Sequence, residues 1–292
     1  MTADRSGVDP REPGRLVDLH RYPVHDLDGP CAKELLVRAR DQLARSGYAE
    51  LAGFLNARGI AVLVDDAEAL KERSHGSSGM GSAYLELPEQ GLEESHPRRW
   101  TGRYSVGAVP YDLIPRASAL RCLYEWDPLK DLVEAVLDRG PLYRYSDPFG
   151  ALNLAVMGPG DELQWHFDQT DFVVSLAIQA AEEGGDFDVV PLVRKADDES
   201  FEDVASVLQG RAGSRTDKGL VTTIPMTPGT LLIFEGRNSL HRVSPISGQT
   251  LRHVGLLAYD TEPGKTGSNL LRASRYGRTE PYAEPPEIWP AS

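Results

Sequence analysis

The stretch QWHFDQTDF, residues 164–172, carries the pattern that decides the fold. Successive side chains of a β-strand point to opposite faces of a sheet. His166 and Asp168 would therefore share one face, and Trp165 and Phe167 the other. An imidazole and a carboxylate side by side either bind a divalent metal or hydrogen-bond to each other. The rest of the chain has to decide between these two interpretations.

The composition is that of an ordinary globular protein. The chain has 292 residues, of which 40% are hydrophobic and 26% charged, and its net charge is −13. The acidic balance argues against nucleic acid or an anionic membrane as partner. No stretch approaches the ~20 apolar residues of a membrane span, and the N-terminus lacks the apolar segment of a signal peptide. We expect a cytoplasmic protein that acts on a small molecule, in an oligomeric state that the sequence does not indicate.

The two cysteines, Cys31 and Cys122, lie in unrelated surroundings. They have neither the CxxC spacing nor the neighbouring histidines of a structural zinc site. We therefore expect two buried free thiols in a reducing compartment.

The N-terminal half predicts helices joined by an irregular segment. Residues 1–15 are polar and predict a disordered arm, and residues 16–147 predict a helical and loop part of the same domain as the core. Helical spacing predicts helices over 30–46, after residue 64 with Asp65 or Asp66 as N-cap, and over 118–138 with a break at Pro128. Residues 74–117 are rich in Gly, Ser and Pro and predict a long loop that acts as a lid.

From about residue 148, short apolar runs alternate with Gly, Pro and Asp turns. Such runs predict the strands of a sandwich or barrel. They are GALNLAVM, ELQWHFD, DFVVSLAIQ, GLVTTIP, GTLLIFEG, HRVSPI and LRHVGLLAYD. The predicted core spans residues 148–262 with a helical insertion over 192–218, and residues 263–292 form a C-terminal tail. The predicted fold class is mainly β with flanking helices (α+β).

A metal site in this barrel needs a third ligand from a distant strand, and the barrel region offers His241 and His253 besides His166. Two histidines and one carboxylate leave three of six positions open on iron(II), as a reaction with dioxygen and a chelating co-substrate requires. Arg252 follows His241 by eleven residues, across the turn SGQT, and is predicted to return beside the metal strand. A guanidinium pairs bidentately with a carboxylate, so this layout suits 2-oxoglutarate.

The pattern H-x-D … H … R in HFD … HRVSPISGQTLR resembles the iron(II)/2-oxoglutarate-dependent oxygenases. Their fold is a double-stranded β-helix, or jelly roll. More narrowly, LYEW (123–126), NLAVM (153–157), EEGGDF, FEGRNSLHRVSP and RYGRT look like the branch of lysine halogenases and related amino-acid hydroxylases, over roughly residues 120–280. The resemblance implies that His166, Asp168 and His241 bind Fe(II). It also implies that Arg252 anchors 2-oxoglutarate and that O2 is the co-substrate.

Two residues depart from the patterns of these relatives. Val254 stands where many have Ser or Thr, and Asp168 stands where halogenating members have a small residue. A carboxylate at that position opposes chloride binding both by its size and by its charge. The resemblance therefore implies hydroxylation of an unactivated C–H bond of a small amino-acid-like metabolite, in the biosynthesis of antibiotics or other specialised metabolites. Desaturation, or ring closure such as cyclopropanation, is an alternative ending.

The residues that bind the substrate are less clearly indicated. Arg103, in the basic segment SHPRRWTGRYS (95–105), either clamps a substrate carboxylate or is solvated surface. Tyr276 lies in a tail that closes over the site in relatives, and it either lines the pocket or only packs. Gln164 and Asn153 either flank the site or are barrel amides. Two other functions stay open: a catalytically silent metal-binding barrel and a metal-dependent hydrolase.

Overall fold

The structure is a computed structural model that describes residues 11–86, 91–210 and 221–282. The helices of this part are α1 (Pro13–Leu16), α2 (Pro30–Ser46), α3 (Ala57–Leu70), α4 (Ala119–Glu125), α5 (Asp127–Leu137), α6 (Phe201–Leu208) and α7 (Asn269–Tyr276). Its strands are β1 (Tyr48–Leu51), β2 (His75–Ser82), β3 (Thr101–Pro110), β4 (Tyr143–Arg144), β5 (Leu152–Met157), β6 (Glu162–His166), β7 (Val173–Gln179), β8 (Phe187–Val190), β9 (Thr222–Ile224), β10 (Leu231–Phe234), β11 (Leu240–Val243), β12 (Arg252–Leu257) and β13 (Tyr259–Asp260).

Eleven of these strands form one antiparallel sheet in the order β1-β10-β7-β12-β5-β3-β6-β11-β8-β9, with β2 on the free side of β3. Strand β3 joins the two halves, because residues 107–110 pair with β5 while Tyr104 and Ser105 pair with β6. The sheet thereby curls into the predicted jelly roll, with one half facing the other. The mainly β fold class with flanking helices is confirmed.

In the half of the sheet that contains β5, one face lines the space between the halves and the other packs against helices. On β5, the side chains of Asn153, Ala155 and Met157 point into the space between the halves. Leu152 and Leu154 alternate with them and pack in the core with the helices. This period-two alternation is the reason that the sequence could be read as strands. It also leaves the inner face free to carry a site without disturbing the main core.

Helices α1 to α5 cover the outer face and mostly follow the predicted pattern. Helix α2 begins at Pro30 and ends at Gly47 in the left-handed conformation, as predicted. Helix α3 begins earlier than predicted, because the Asn56 side chain caps it by accepting a hydrogen bond from the Gly59 N–H (2.9 Å). Asp66 is therefore not an N-cap but a buried residue inside the helix, where its carboxylate accepts from the Ser118 hydroxyl (2.6 Å).

The segment 74–117 differs most from its prediction as a loop. Strands β2 and β3 pair along their whole shared length, from His75↔Ala108 to Ser82↔Thr101. Glycine and serine have low strand propensity, so the pattern of β2 gave no strand signal. Its order comes from the backbone ladder with β3, which is a long-range contact. The N-terminal part thus supplies strands to the sheet as well as helices, since β1 pairs with β10.

Other boundaries also differ from the prediction. Helix α1 overlaps the end of the predicted arm 1–15 and extends to Leu16, and residues 1–10 of the arm are outside the described residues. Strand β8 was not predicted. The insertion contains α6, with residues 211–218 outside the described part, and the tail contains α7, with residues 283–292 outside it.

Cys31 and Cys122 are not joined in a disulfide, as expected, but Cys31 is exposed and Cys122 partly exposed, so the predicted burial is wrong. None of the helices in the described ranges combines the length and apolar character needed to cross a bilayer.

Candidate active site

Strands β6 and β11 bring two imidazoles together across the ladder. His166 and His241 are direct partners in the register, and their ring centroids lie 4.3 Å apart. The Nδ1 of His166 contacts the Gln164 carbonyl (2.7 Å), and the Nδ1 of His241 contacts the Ser239 carbonyl (2.8 Å). Each Nδ1–H donated to a carbonyl fixes the tautomer that leaves Nε2 with its lone pair. Both Nε2 atoms are thus prepared to bind a metal.

Burial favours the neutral form of these ligands. Burial, with a further contribution from the adjacent His241, lowers the pKa of His166 to about 4. A neutral imidazole is the form that binds a metal, so His166 is ready to do so at neutral pH.

Asp168 completes the set just beyond the end of β6. Its Oδ2 lies 3.3 Å from Nε2 of His241, and its Oδ1 lies 4.0 Å from Nε2 of His166. One donor atom from each residue lies within 4.8 Å of the others. The Asp168 Oδ2 is buried and has no hydrogen-bond partner among the described residues, which is costly unless a cation sits there. The donor set therefore fits iron(II), with its two imidazoles and one carboxylate.

Gly236 makes room for this carboxylate, a role that the sequence analysis missed. The Gly236 carbonyl accepts a hydrogen bond from the Asp168 N–H (3.0 Å). A Cβ atom on Gly236 would overlap Oδ2 of Asp168 and lie 2.9 Å from its Cγ. The segment FEGRN looks like an ordinary turn, and only the fold reveals the close approach.

His253 is not a fourth candidate ligand. It is fully buried on the outer face, where its Nε2 lies 3.0 Å from Oε1 of Glu68. Residues 252 and 253 point to opposite faces of β12, so Arg252 points inward.

Arg252 reaches the cavity from the half of the sheet opposite the histidines. The prediction that it returns beside the metal strand is wrong, because β12 pairs with β5 and β7 and not with β11. Its guanidinium is buried, and its one hydrogen bond among the described residues goes to the sulfur of Met157 (3.8 Å). Burial lowers the pKa of Arg252 to about 10, so it stays charged at neutral pH. A buried cation without a carboxylate partner is a site for an anionic ligand.

These groups surround one cavity of about 320 Å³ between the two halves of the sheet. The three metal-binding candidates and Arg252 all line it, and apolar side chains such as Phe234, Leu232 and Val243 fill the wall between them. This volume is at the lower end of the range for small-molecule sites. The sequence-predicted metal and 2-oxoglutarate residues are thus brought together in one place.

The C-terminal helix closes one side of this cavity. Tyr276 lines it, stacks on Phe149 with ring centroids 5.4 Å apart, and donates from its hydroxyl to Oδ1 of Asn153 (2.5 Å). Asn153 also lines the cavity, whereas Gln164 lies outside it, near Gly81. Whether Tyr276 touches substrate stays a prediction.

The structure does not bring Arg103 to the cavity. The Arg103 guanidinium is about half exposed and pairs with Glu162 (2.8 Å) and the Gly160 carbonyl (2.7 Å). The basic segment that carries it became part of β3, which turns this side chain away from the site. Two arginines of the C-terminal segment, Arg272 and Arg275, line the cavity.

The comparison with known families agrees with this geometry. The model of the Halogenase D family matches residues 31–268, which is most of the chain. The chain belongs to the Halogenase D family. The predicted resemblance to the halogenase branch of the iron(II)/2-oxoglutarate-dependent oxygenases is thereby confirmed. This member of the Halogenase D family has a carboxylate, Asp168, in its candidate metal-binding set. A search among curated proteins found no related sequence.

Several solved structures are similar in fold to this Halogenase D family chain. The epimerase SnoN, in complex with Fe3+, alpha ketoglutarate and nogalamycin RO, is similar with a TM-score of 0.56 and 18% identity, over 87% of this chain and 95% of SnoN. AviO1 from Streptomyces viridochromogenes Tue57 has a TM-score of 0.52 and 20% identity, over 78% of this chain and 96% of AviO1. The carbocyclase SnoK from nogalamycin biosynthesis has a TM-score of 0.52 and 16% identity, over 87% of this chain and 95% of SnoK. At these identities the likeness establishes the jelly-roll fold of the oxygenases.

Proposed function

We propose that this protein is an iron(II)/2-oxoglutarate-dependent oxygenase that oxidises an unactivated C–H bond of a small amino-acid-like metabolite. One observation carries the proposal: a buried two-histidine, one-carboxylate set shares its cavity with Arg252, a buried cation that has no carboxylate partner among the described residues. Neither alternative function needs both features. A metal hydrolase has no use for the arginine, and a silent barrel has no reason to retain it.

Each residue has a defined task in this proposal. His166, Asp168 and His241 hold iron, and Arg252 holds the distal carboxylate of 2-oxoglutarate through two parallel hydrogen bonds. Iron bound there supplies the reaction of dioxygen with 2-oxoglutarate, which gives succinate, CO2 and the oxidation of a nearby C–H bond. In hydroxylation one oxygen atom of O2 enters succinate and the other enters the product. In desaturation or ring closure the substrate loses two hydrogen atoms, which leave in water.

Asp168 directs the outcome away from halogenation. Its carboxylate would hold the metal and add a negative charge, so a halide would have to displace a charged ligand. The epimerase and carbocyclase among the similar structures act with alpha ketoglutarate in nogalamycin biosynthesis. They support an ending other than chlorination and a role in specialised, antibiotic-type metabolism. Such chemistry draws on 2-oxoglutarate and iron(II), and we place it in the cytoplasm.

The test measures succinate formed from 2-oxoglutarate with Fe(II) and O2, with and without candidate amino acids. We expect iron-dependent succinate that rises when the right substrate is added. His241→Ala provides the matched inactive control, because it removes one ligand and leaves the outer core untouched. A wild type that produces no more succinate than this variant would show that the barrel is silent or hydrolytic.

A further inference from the structure

The C-terminal segment carries three arginines at three-residue spacing, and two of them fasten it to the domain. Arg272, on α7, pairs with the buried Asp147 (2.8 Å). Arg278 forms two hydrogen bonds with Asp112, each 2.7 Å long. Both guanidiniums also lie over the Phe149 ring, at 5.4 and 4.5 Å. These two arginines hold the helix in place over the cavity.

Arg275 stands between them and has a different environment. It lines the cavity, and among the described residues no carboxylate lies within ion-pair distance of it. It also interacts with the hydroxyl of the adjacent Tyr276. Arg275 is therefore a cation at the wall of the cavity, without a carboxylate partner among the described residues.

The other charged side chains that line the described cavity each have a partner or an assigned role, and Arg275 has neither. Asp147 is matched by Arg272, Asp168 serves the metal, and Arg252 lies on the opposite half of the sheet and is assigned to 2-oxoglutarate in the proposed function. A second anionic ligand bound beside Arg275 would give this cation the partner that it lacks among the described residues. The rest of this end of the cavity is mainly apolar, with Phe172, Leu256, Leu257 and Leu271 among its lining residues.

We propose that Arg275, supported by Tyr276 and Asn153, binds the carboxylate of the substrate, a small aliphatic amino acid or related carboxylic acid whose chain lies along the apolar wall. This inference rests on the proposed function and names the residue that recognises its substrate. Arg275 takes the role that the sequence had suggested for Arg103.

The experiment asks whether Arg275 recognises the carboxylate itself. The probes are the proteinogenic L-amino acids and L-norleucine, each compared with its carboxamide, which removes the negative charge and keeps the shape. Substrate-stimulated succinate formation gives KM. Thermal shift of the protein loaded with Mn(II) and 2-oxoglutarate gives binding without turnover. The variants are Arg275→Gln, Arg275→Lys, Arg103→Gln and, as a surface control, Arg45→Gln, whose side chain is 70% exposed.

We expect the wild type to prefer a carboxylate over its carboxamide by about 10- to 100-fold, as befits a charge-assisted hydrogen bond. In Arg275→Gln this preference should fall to about two-fold or less, and Arg275→Lys should recover part of it. The KM for 2-oxoglutarate should change far less than the KM for the carboxylate.

An undiminished carboxylate preference in Arg275→Gln, or its loss in Arg103→Gln, would overturn the assignment. It would also be overturned if iron-dependent succinate formation responded to none of the carboxylates. A wild type that forms no succinate at all would instead overturn the proposed function.

Discussion

Gly236→Ala tests how the carboxylate ligand is positioned. The added methyl group would lie 2.9 Å from Cγ of Asp168 and would overlap Oδ2. Carbon atoms in contact lie about 3.5 Å apart, so Cγ must move by at least about 0.6 Å. Metal-ligand distances tolerate only about 0.2 Å. The Asp168 side chain will therefore rotate away from the metal position.

Metal affinity and protein stability should respond differently to Gly236→Ala. Metal affinity should fall by about 10- to 100-fold, as when a residue that orients a ligand is lost. The free energy of unfolding of the metal-free protein should change by no more than about 1 kcal/mol, because a side chain yields and not the backbone. Calorimetric titration with Mn(II), a stand-in for iron(II) that resists oxidation, gives the affinity, and urea denaturation gives the stability.

Two control variants test whether displacement of the Asp168 side chain causes the loss of metal affinity. Gly76→Ala should behave as the wild type, because nothing lies within 4 Å of its added Cβ. In an Asp168→Gly background, Gly236→Ala should have no further effect on Mn(II) affinity, since the group it displaces is gone. Unchanged Mn(II) binding in the single Gly236→Ala variant would refute this account of Asp168.

Three further predictions address the other residues of the fold and site. Arg252→Lys keeps the charge and loses the two-pronged guanidinium, so the KM for 2-oxoglutarate should rise by about 10- to 100-fold; an unchanged KM would exclude the anchor role. His166→Ala should abolish succinate formation while the circular dichroism spectrum stays that of the wild type, because the ligand lies on the inner face; retained turnover would remove it from the metal site. Burial lowers the pKa of His253 below its ordinary value, against the opposing effect of Glu68, so the unfolded state takes up the proton first. The free energy of unfolding should thus fall as pH drops below about 6.5, and less steeply in His253→Gln, as urea denaturation at pH 7.5 and 5.5 would show; equal slopes would contradict this.

The metal-binding residues could be predicted because the sequence patterns that indicate them are local or periodic. The spacing of His166 and Asp168 places both on one side of a strand, and the inner and outer residues of β5 alternate as the sequence does. His241 and Arg252 follow recognisable strands, so their membership in the site was predictable. The position of Arg252 on the facing half of the sheet was not, because strand order depends on long-range pairing.

The residue that we propose to bind the substrate could not be predicted either, because its position also depends on long-range packing. Arg103 and Arg275 are both arginines in polar segments, and nothing near either in sequence says which one reaches the cavity. The choice follows from the packing of α7, which the ion pair between Arg272 and Asp147 fixes across 125 residues. Strand β2 was missed because its glycines and serines are ordered only by the ladder with β3.

Asp168 as a metal ligand is the central claim, and the products of the wild type test it most directly. The enzyme would be supplied with Fe(II), 2-oxoglutarate, O2 and the substrate that most stimulates succinate formation, in buffer with high chloride, and the products analysed by mass spectrometry. We expect a product that has gained an oxygen atom or lost two hydrogen atoms, without chlorine. A chlorine isotope pattern in the main product would show that a halide takes the position assigned to the Asp168 carboxylate.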